Sequence, residues 1–281
     1  MTTAARRIAE NRAAHDRISG ATYAARHPEI YNDVEQARLV EAVARAVGCI
    51  ATATVAPDRV MLELGAGPGN LTEKLLAHPG TVLATDLSTG MLEALRMRLG
   101  GNGRLRTQPL NGSDLREFAT ASVDMVAAYS VLHHVPDYLA LVAECGRVVR
   151  PGGVVYFEHE KAPGYWSPTP ALQRFLETAV VWPEKSWTRF LDPRRYWARV
   201  RPWLIWQRWG DPRWMPEGDL HIWPDDHLEW TEIEQRLRTQ GCEPVVVEDH
   251  LAYEPRFDRA RWESARHEAA DTRMFIARKV A

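Results

Sequence analysis

Cysteine is scarce in this chain: Cys49, Cys145 and Cys242 are the only three, far apart and odd in number. They offer neither a disulfide framework nor a zinc spacing, which suits a reducing cytoplasm. No stretch approaches 18 consecutive apolar residues, so no transmembrane helix and no membrane partner are expected. Net charge is nearly absent: 35 Lys and Arg against 37 Asp and Glu leave −2. That removes any global electrostatic case for duplex nucleic acid or an anionic membrane, while a local basic patch stays open. Met1 to Ala14 carries Arg6, Arg7, Glu10 and Arg12 without an apolar core, so no signal peptide is expected there. What the chain does have is 45% hydrophobic and 26% charged residues, the balance of a soluble globular protein. Its 281 residues suit one large domain, or one domain with an added lobe.

Neither an internal repeat nor a low-complexity tract interrupts the chain. Residues 1–55 read as helical, with Val34, Ala37, Leu39, Val40, Val43 and Val47 near helical spacing. A different grammar follows. Val60 to Leu64 reads as a buried strand stopping at Gly65, Thr81 to Thr85 as a second, and Val123 to Ala128 and Val154 to Phe157 as further strands. Helices are expected over Leu71 to Leu76, Met91 to Leu99 and Tyr138 to Val149, with a turn at Pro151-Gly152-Gly153. Strands alternating with helices imply βαβ units and a parallel sheet covered on both faces. The alternation stops near Glu160 and resumes with a helix over Glu229 to Thr239 and strands at Pro244 to Glu248 and Thr272 to Ala277. The expected layout is therefore a helical segment (1–55), an α/β domain (56–160 and 226–281) and an inserted lobe (161–225).

The informative segment is Glu63-Leu64-Gly65-Ala66-Gly67-Pro68-Gly69, with glycines at alternate positions directly after a strand. Such glycines permit a tight turn and close approach of a ligand to the backbone. A pyrophosphate-binding fingerprint would need glycine at position 70, where the chain has Asn70. Asp86 closes the next strand, where a carboxylate can accept both hydroxyls of a ribose; capping the following helix is its other reading, and Ser88 competes for that task. Asn111-Gly112 follows a third strand, where an amide could read an adenine edge or simply make a turn. Together the three features describe a nucleoside site across the carboxyl ends of adjacent parallel strands.

In that order, with Leu132-His133-His134 and Arg150-Pro151-Gly152-Gly153, these motifs resemble the class I S-adenosylmethionine-dependent methyltransferases of the small-molecule type. The resemblance covers about residues 55–160. It implies a Rossmann-like, doubly wound, mostly parallel seven-stranded sheet and S-adenosyl-L-methionine as cofactor. It places Gly65, Ala66 and Gly67 along the methionine part, Asp86 at the ribose, Leu87 and Met91 beside the adenine, and Asn111 and Gly112 at its edge. Glu63 and Ser130 join the same cofactor set, and Tyr23 matches an aromatic position in an N-terminal segment that covers the cofactor.

Methyl transfer needs nucleophile, methyl and sulfur held in line with water excluded; a general base helps a hydroxyl acceptor. Candidate bases lie beyond the strand ends. Adjacent in sequence, His133 and His134 point apart, so one of them is expected to face the cleft, and the resemblance favours His133. Strand alternation puts Glu158 and Glu160 on one side and His159 on the other, with Glu158 as a further catalytic candidate. A metal set from Glu158, His159, Asp225, Asp226 and His227 is conceivable, but no spacing demands it, and none is assigned.

Nine of the 11 tryptophans fall between Trp166 and Trp223. Trp197, Trp203, Trp206, Trp209 and Trp214 alternate with an arginine excess running from Arg189 to Arg213. Two readings stand: a small core of the lobe's own, or a lid whose aromatic faces wall an acceptor pocket while an arginine reads an anion. Stacking on single-stranded nucleic acid fits the composition less well, given the near-neutral total charge. The expected partner is a small-molecule acceptor with an aromatic or apolar body, the alternatives being an RNA methyltransferase or a cofactor-binding protein of this fold with other chemistry; the expected location is the cytoplasm. Which atom accepts the methyl, and the oligomeric state, are not written in the sequence.

Overall fold

A computed structural model describes residues 3–16, 20–180 and 226–280. Residues 181–225 of the inserted lobe lie outside the described residues, and with them the Trp197–Trp214 and Arg189–Arg213 readings and Asp225. The N-terminal segment forms three helices: α1 (Thr3–His15), α2 (Gly20–Arg26) and α3 (Asp33–Gly48). The alternating part supplies β1 (Val60–Leu64), α4 (Asn70–Leu76), β2 (Thr81–Asp86), α5 (Thr89–Leu99) and β3 (Leu105–Pro109). It continues with β4 (Val123–Tyr129), α6 (Tyr138–Val148) and β5 (Val149–Lys161). Two short helices follow, α7 (Pro163–Trp166) and α8 (Pro170–Thr178), and the described chain closes with α9 (Trp230–Thr239), β6 (Cys242–His250), α10 (Arg259–Ala265) and β7 (Thr272–Lys279).

The strands make one seven-stranded sheet in the order β3-β2-β1-β4-β5-β7-β6. The first five run parallel, and β7 pairs antiparallel with both β5 and β6. Strand alternation sorts the core into two layers. Leu62, Val126, Ala128, Val155 and Phe157 join α6 and α9 on one face, through Leu141, Val142, Ile233 and Leu237. On the other face, Met61, Met125, Ala127, Val154 and Tyr156 meet Leu39 and Val43 of α3 and Leu71 and Leu75 of α4. Every residue of β4 is buried, as expected of a central parallel strand covered on both sides. Helix starts are fixed by side-chain caps: Asn32 accepts from the Glu35 N–H, Ser88 from Met91 and Asp137 from Ala140.

One expectation is corrected. Pro151-Gly152-Gly153 is not a turn between elements but part of β5, which runs unbroken from Val149 to Lys161. The register jumps there, from Val123 opposite Val149 to Met125 opposite Val154, so the extra residues form a bulge. Gly152 holds φ at 79°, and its carbonyl accepts the Ala51 N–H at 2.8 Å, tying the end of the N-terminal segment to the sheet. A Cβ at Gly152 would lie 2.4 Å from the Ala51 carbonyl oxygen, which is backbone and cannot step aside. Gly152→Ala should therefore cost about 2–4 kcal/mol, from the left-handed conformation plus overpacking. Gly101→Ala, with nothing near its Cβ position, is the control. Urea unfolding of the two variants checks this; equal midpoints would contradict the assigned bulge geometry.

Candidate active site

The strand order reverses between β1 and β4, because the chain moves outward through β2 and β3 and returns to the far side of β1. Such a reversal opens a crevice at the carboxyl ends of the strands. The loop after β1 lies in it, with Gly65, Gly67 and Gly69 at φ of 61°, 51° and 96°. At Gly65 a Cβ would stand 2.6 Å from Val131 Cγ2, so the loop presses directly against the segment leaving β4. At Gly67 the same position faces open space.

Asp86, at the end of β2, holds this loop in place. Its Oδ2 accepts the Gly67 N–H at 2.8 Å and its Oδ1 the Ser88 N–H at 2.7 Å. Burial pushes the Asp86 carboxyl up, and those two N–H groups oppose the shift. Ser88 is the helix cap, so Asp86 is released from that competing role. A cleft open to solvent spreads from this point. Gly65, Gly67, Asp86 and Leu87 line it, with Tyr23, Gly112 and Ser130 at its sides.

Four expected cofactor residues do not line the cleft. Ala66 and Met91 are buried behind it. Glu63 lies beneath the glycine loop, 1% exposed, accepting the Thr72 hydroxyl at 2.6 Å. Burial pushes its carboxyl up to about 8. Asn111 is turned to its own loop: its Oδ1 accepts from Ser113 N, Ser113 Oγ and Asp114 N, and its Nδ2 donates to Asp114. Short polar side chains commonly bind their own turn in this way. Ser113 and Asp114 line the cleft in its place.

The catalytic candidates are also rearranged. His133 is drawn inward, 6% exposed, with Nδ1 2.8 Å from Glu160 Oε2. The other oxygen of buried Glu160 accepts the Val131 and Leu132 N–H groups, both at 2.7 Å, and so fixes the turn Leu132–His134. The consequence is that His134, not His133, lines the cleft. Its ring lies 6.2 Å from that of His15, edge to face. Glu158 is fully buried and bound to Arg38 Nη1 at 2.9 Å and to the Tyr156 hydroxyl at 2.8 Å, away from the cleft. Burial pushes its carboxyl up, and Arg38 opposes that. The simple alternation of Glu158, His159 and Glu160 is broken by a second bulge in β5, where His159 adopts φ of 59°. Glu158 therefore turns toward α3 and Glu160 toward the Leu132–His134 turn.

The residues missed by the sequence reading lie chiefly on α1. Ile8, Asn11, Arg12 and His15 line the cleft at helical spacing of three, four and seven. Asp16 fastens the end of this helix, accepting the Ser88 hydroxyl at 2.5 Å and the Gly90 N–H at 3.3 Å. The spacing was there to be read, but a mostly polar stripe facing a ligand gives no apolar periodicity. Among the described residues no group of three or more His, Cys, Asp or Glu could hold a metal, and no helix is long and apolar enough to cross a membrane.

Residues 62–157 match the family model described as a methyltransferase domain. With its sheet order and glycine loop, this segment is a class I S-adenosylmethionine-dependent methyltransferase domain. Curated relatives are similar over the methyltransferase domain: a ubiquinone biosynthesis O-methyltransferase from Thiobacillus denitrificans is 34% identical over 98 residues, 34% of this chain and 42% of that one. Another of the same name, from Aromatoleum aromaticum, is 36% identical over 100 residues, again 42% of its length. The chain thus spans about two fifths of the curated relatives it matches. The fold is shared with the YcgJ protein of Bacillus subtilis, at TM-score 0.51 and 13% identity over 86% of this chain and 99% of that one. It is also shared with the CurJ carbon methyltransferase, at TM-score 0.51 and 16% identity over 90% and 57%.

The buried Glu63 gives the methyltransferase domain a pH signature. Its folded pKa, near 8, lies above its unfolded value, so the stability it contributes is full below about pH 4.5 and is lost as pH rises toward 8. Glu63→Gln should flatten the fall of Tm between about pH 5 and 8, leaving what Asp86 and Glu158, also pushed up by burial, contribute. An unchanged slope in calorimetric scans would show that Glu63 is ionised in the folded protein.

Proposed function

We propose that the whole chain transfers a methyl group from S-adenosylmethionine to a small-molecule acceptor with an aromatic or apolar body. The observation that carries the cofactor in this reading is Asp86, its carboxylate in the cleft lining while both oxygens are pinned beside the glycine loop. The residues present fit a nucleoside cofactor: open space above Gly67, a carboxylate for the ribose, and a buried, unpartnered Oδ1 on Asn11. The names of the curated relatives support an oxygen acceptor.

The bound cofactor would supply a methyl group already activated on sulfonium, with a neutral thioether as leaving group. The protein's tasks are then positioning, exclusion of water and removal of one proton. The helix α1 covers the cleft and limits water. For a hydroxyl acceptor, His134 takes the O–H proton as the oxygen bonds to carbon, with His15 across from it. His133 acts one step back, holding the turn through Glu160.

Three outcomes test this. Asp86→Ala should weaken S-adenosylhomocysteine binding by about 1–3 kcal/mol in calorimetry, through loss of charge-assisted bonds; unchanged affinity would remove Asp86 from the site. Labelled cofactor in a cell extract should yield a methylated small molecule, identified by mass. With that acceptor, His134→Ala should lower turnover about 10²–10⁴-fold while cofactor affinity holds. A drop below tenfold would exclude His134 as the base, and label appearing in RNA would overturn the acceptor class.

A further inference from the structure

Adenine presents an exocyclic amine that needs an acceptor, and Asn111 has none to give. Its side-chain oxygen already takes three donors from its own turn. Asp114, the carboxylate nearby, accepts from Asn111 Nδ2 and the Arg116 N–H on one oxygen, and from the Ser113 hydroxyl and the Arg116 guanidinium on the other. Asn11 on α1 has the opposite problem. It lines the cleft, is 5% exposed, and its Oδ1 has no hydrogen-bond partner. A buried carbonyl oxygen left without a donor is destabilising, so such a group in a ligand cleft implies a donor on the ligand.

The path of α1 indicates which donor. Three residues before Asn11, Ile8 Cγ2 lies 3.3 Å from where a Cβ on Gly112 would stand, so that turn covers the loop after β3. Four residues after it, His15 meets His134. Beyond His15, Asp16 is bonded to Ser88, just past Asp86. The helix therefore crosses from the nucleobase end of the cleft toward the ribose carboxylate, and Asn11 is one turn from the base-edge loop. The ribose hydroxyl protons have Asp86 to go to, whereas the nucleobase amine lacks a committed acceptor.

We propose that Asn11 Oδ1 accepts a hydrogen bond from the exocyclic amine of the cofactor's adenine, so that the N-terminal helix reads the base. This rests on the methyltransferase reading of the cleft. An amide oxygen at that point favours a base bearing an amine over one bearing a carbonyl, where two acceptors would face each other.

The test titrates S-adenosylhomocysteine and its deaminated analogue, S-inosylhomocysteine, into the full chain by calorimetry. The parent should prefer the adenine form. Asn11→Leu, similar in size and without an acceptor, should bind the adenine form about 5–10-fold more weakly and the inosine form no worse, so the preference shrinks by that factor. Asn11→Asp keeps an acceptor and should keep the preference. If Asn11→Leu fails to fold by circular dichroism, Asn11→Ala replaces it with the same expectation. Equal weakening toward both ligands, or an unaltered preference, overturns the proposal, because a purely structural Asn11 would behave so. A parent that binds neither ligand overturns the reading of the cleft itself. Asp86→Ala separates the two cases, since it should weaken both ligands and leave their ratio unchanged.

Discussion

The bond from the Gly67 N–H to the Asp86 carboxylate ties the loop after β1 to the end of β2, and the arrangement of the site depends on it. A parallel sheet with a reversed strand order supplies a crevice but not its shape. The shape follows from one carboxylate spanning two backbone N–H groups, with Gly65 packed so close to Val131 that no side chain fits between them. Because Ser88 caps α5, the carboxylate has lone pairs left for a ligand.

Around this contact, buried carboxylates act as fasteners, not reagents. Glu63 holds Thr72 below the glycine loop, Glu160 holds the turn that carries both histidines, and Glu158 locks Arg38 of α3 to β5. Glu158 and Glu160 are each satisfied by several partners, which offsets the cost of removing a carboxyl group from water. Two bulges in β5 make this division possible. The first binds the N-terminal segment through Gly152, and the second, at His159, sends neighbouring glutamates to different neighbours. The cleft is thereby left to His134, His15 and the polar face of α1.

The fold was legible because its signals are local and repeated. Apolar runs ending in glycine marked β1, and alternation along β4 and β5 sorted itself into two core layers, as periodicity implies. Asp86 was legible because a carboxylate at the end of a second strand has few structural uses once Ser88 takes the cap. What could not be read was competition between neighbours. Nothing in the spacing shows that Asn111 spends its amide on Ser113 and Asp114, or that Glu160 draws His133 away from the cleft. The strand bulges were equally hidden, since Pro151-Gly152-Gly153 reads as a turn wherever it stands. Ile8, Asn11, Arg12 and His15 escaped because their face is recognisable only from the cleft it covers.

The central claim is that the glycine loop, the Asp86 carboxylate and α1 close on one nucleoside. Hydrogen–deuterium exchange of the full chain with and without S-adenosylhomocysteine tests it most directly. The account predicts protection confined to the amides of residues 65–69, 86–90, 112–114 and 8–15, with β6 unaffected and NAD without effect. Protection absent from the glycine loop and α1, or produced equally by NAD, would contradict it.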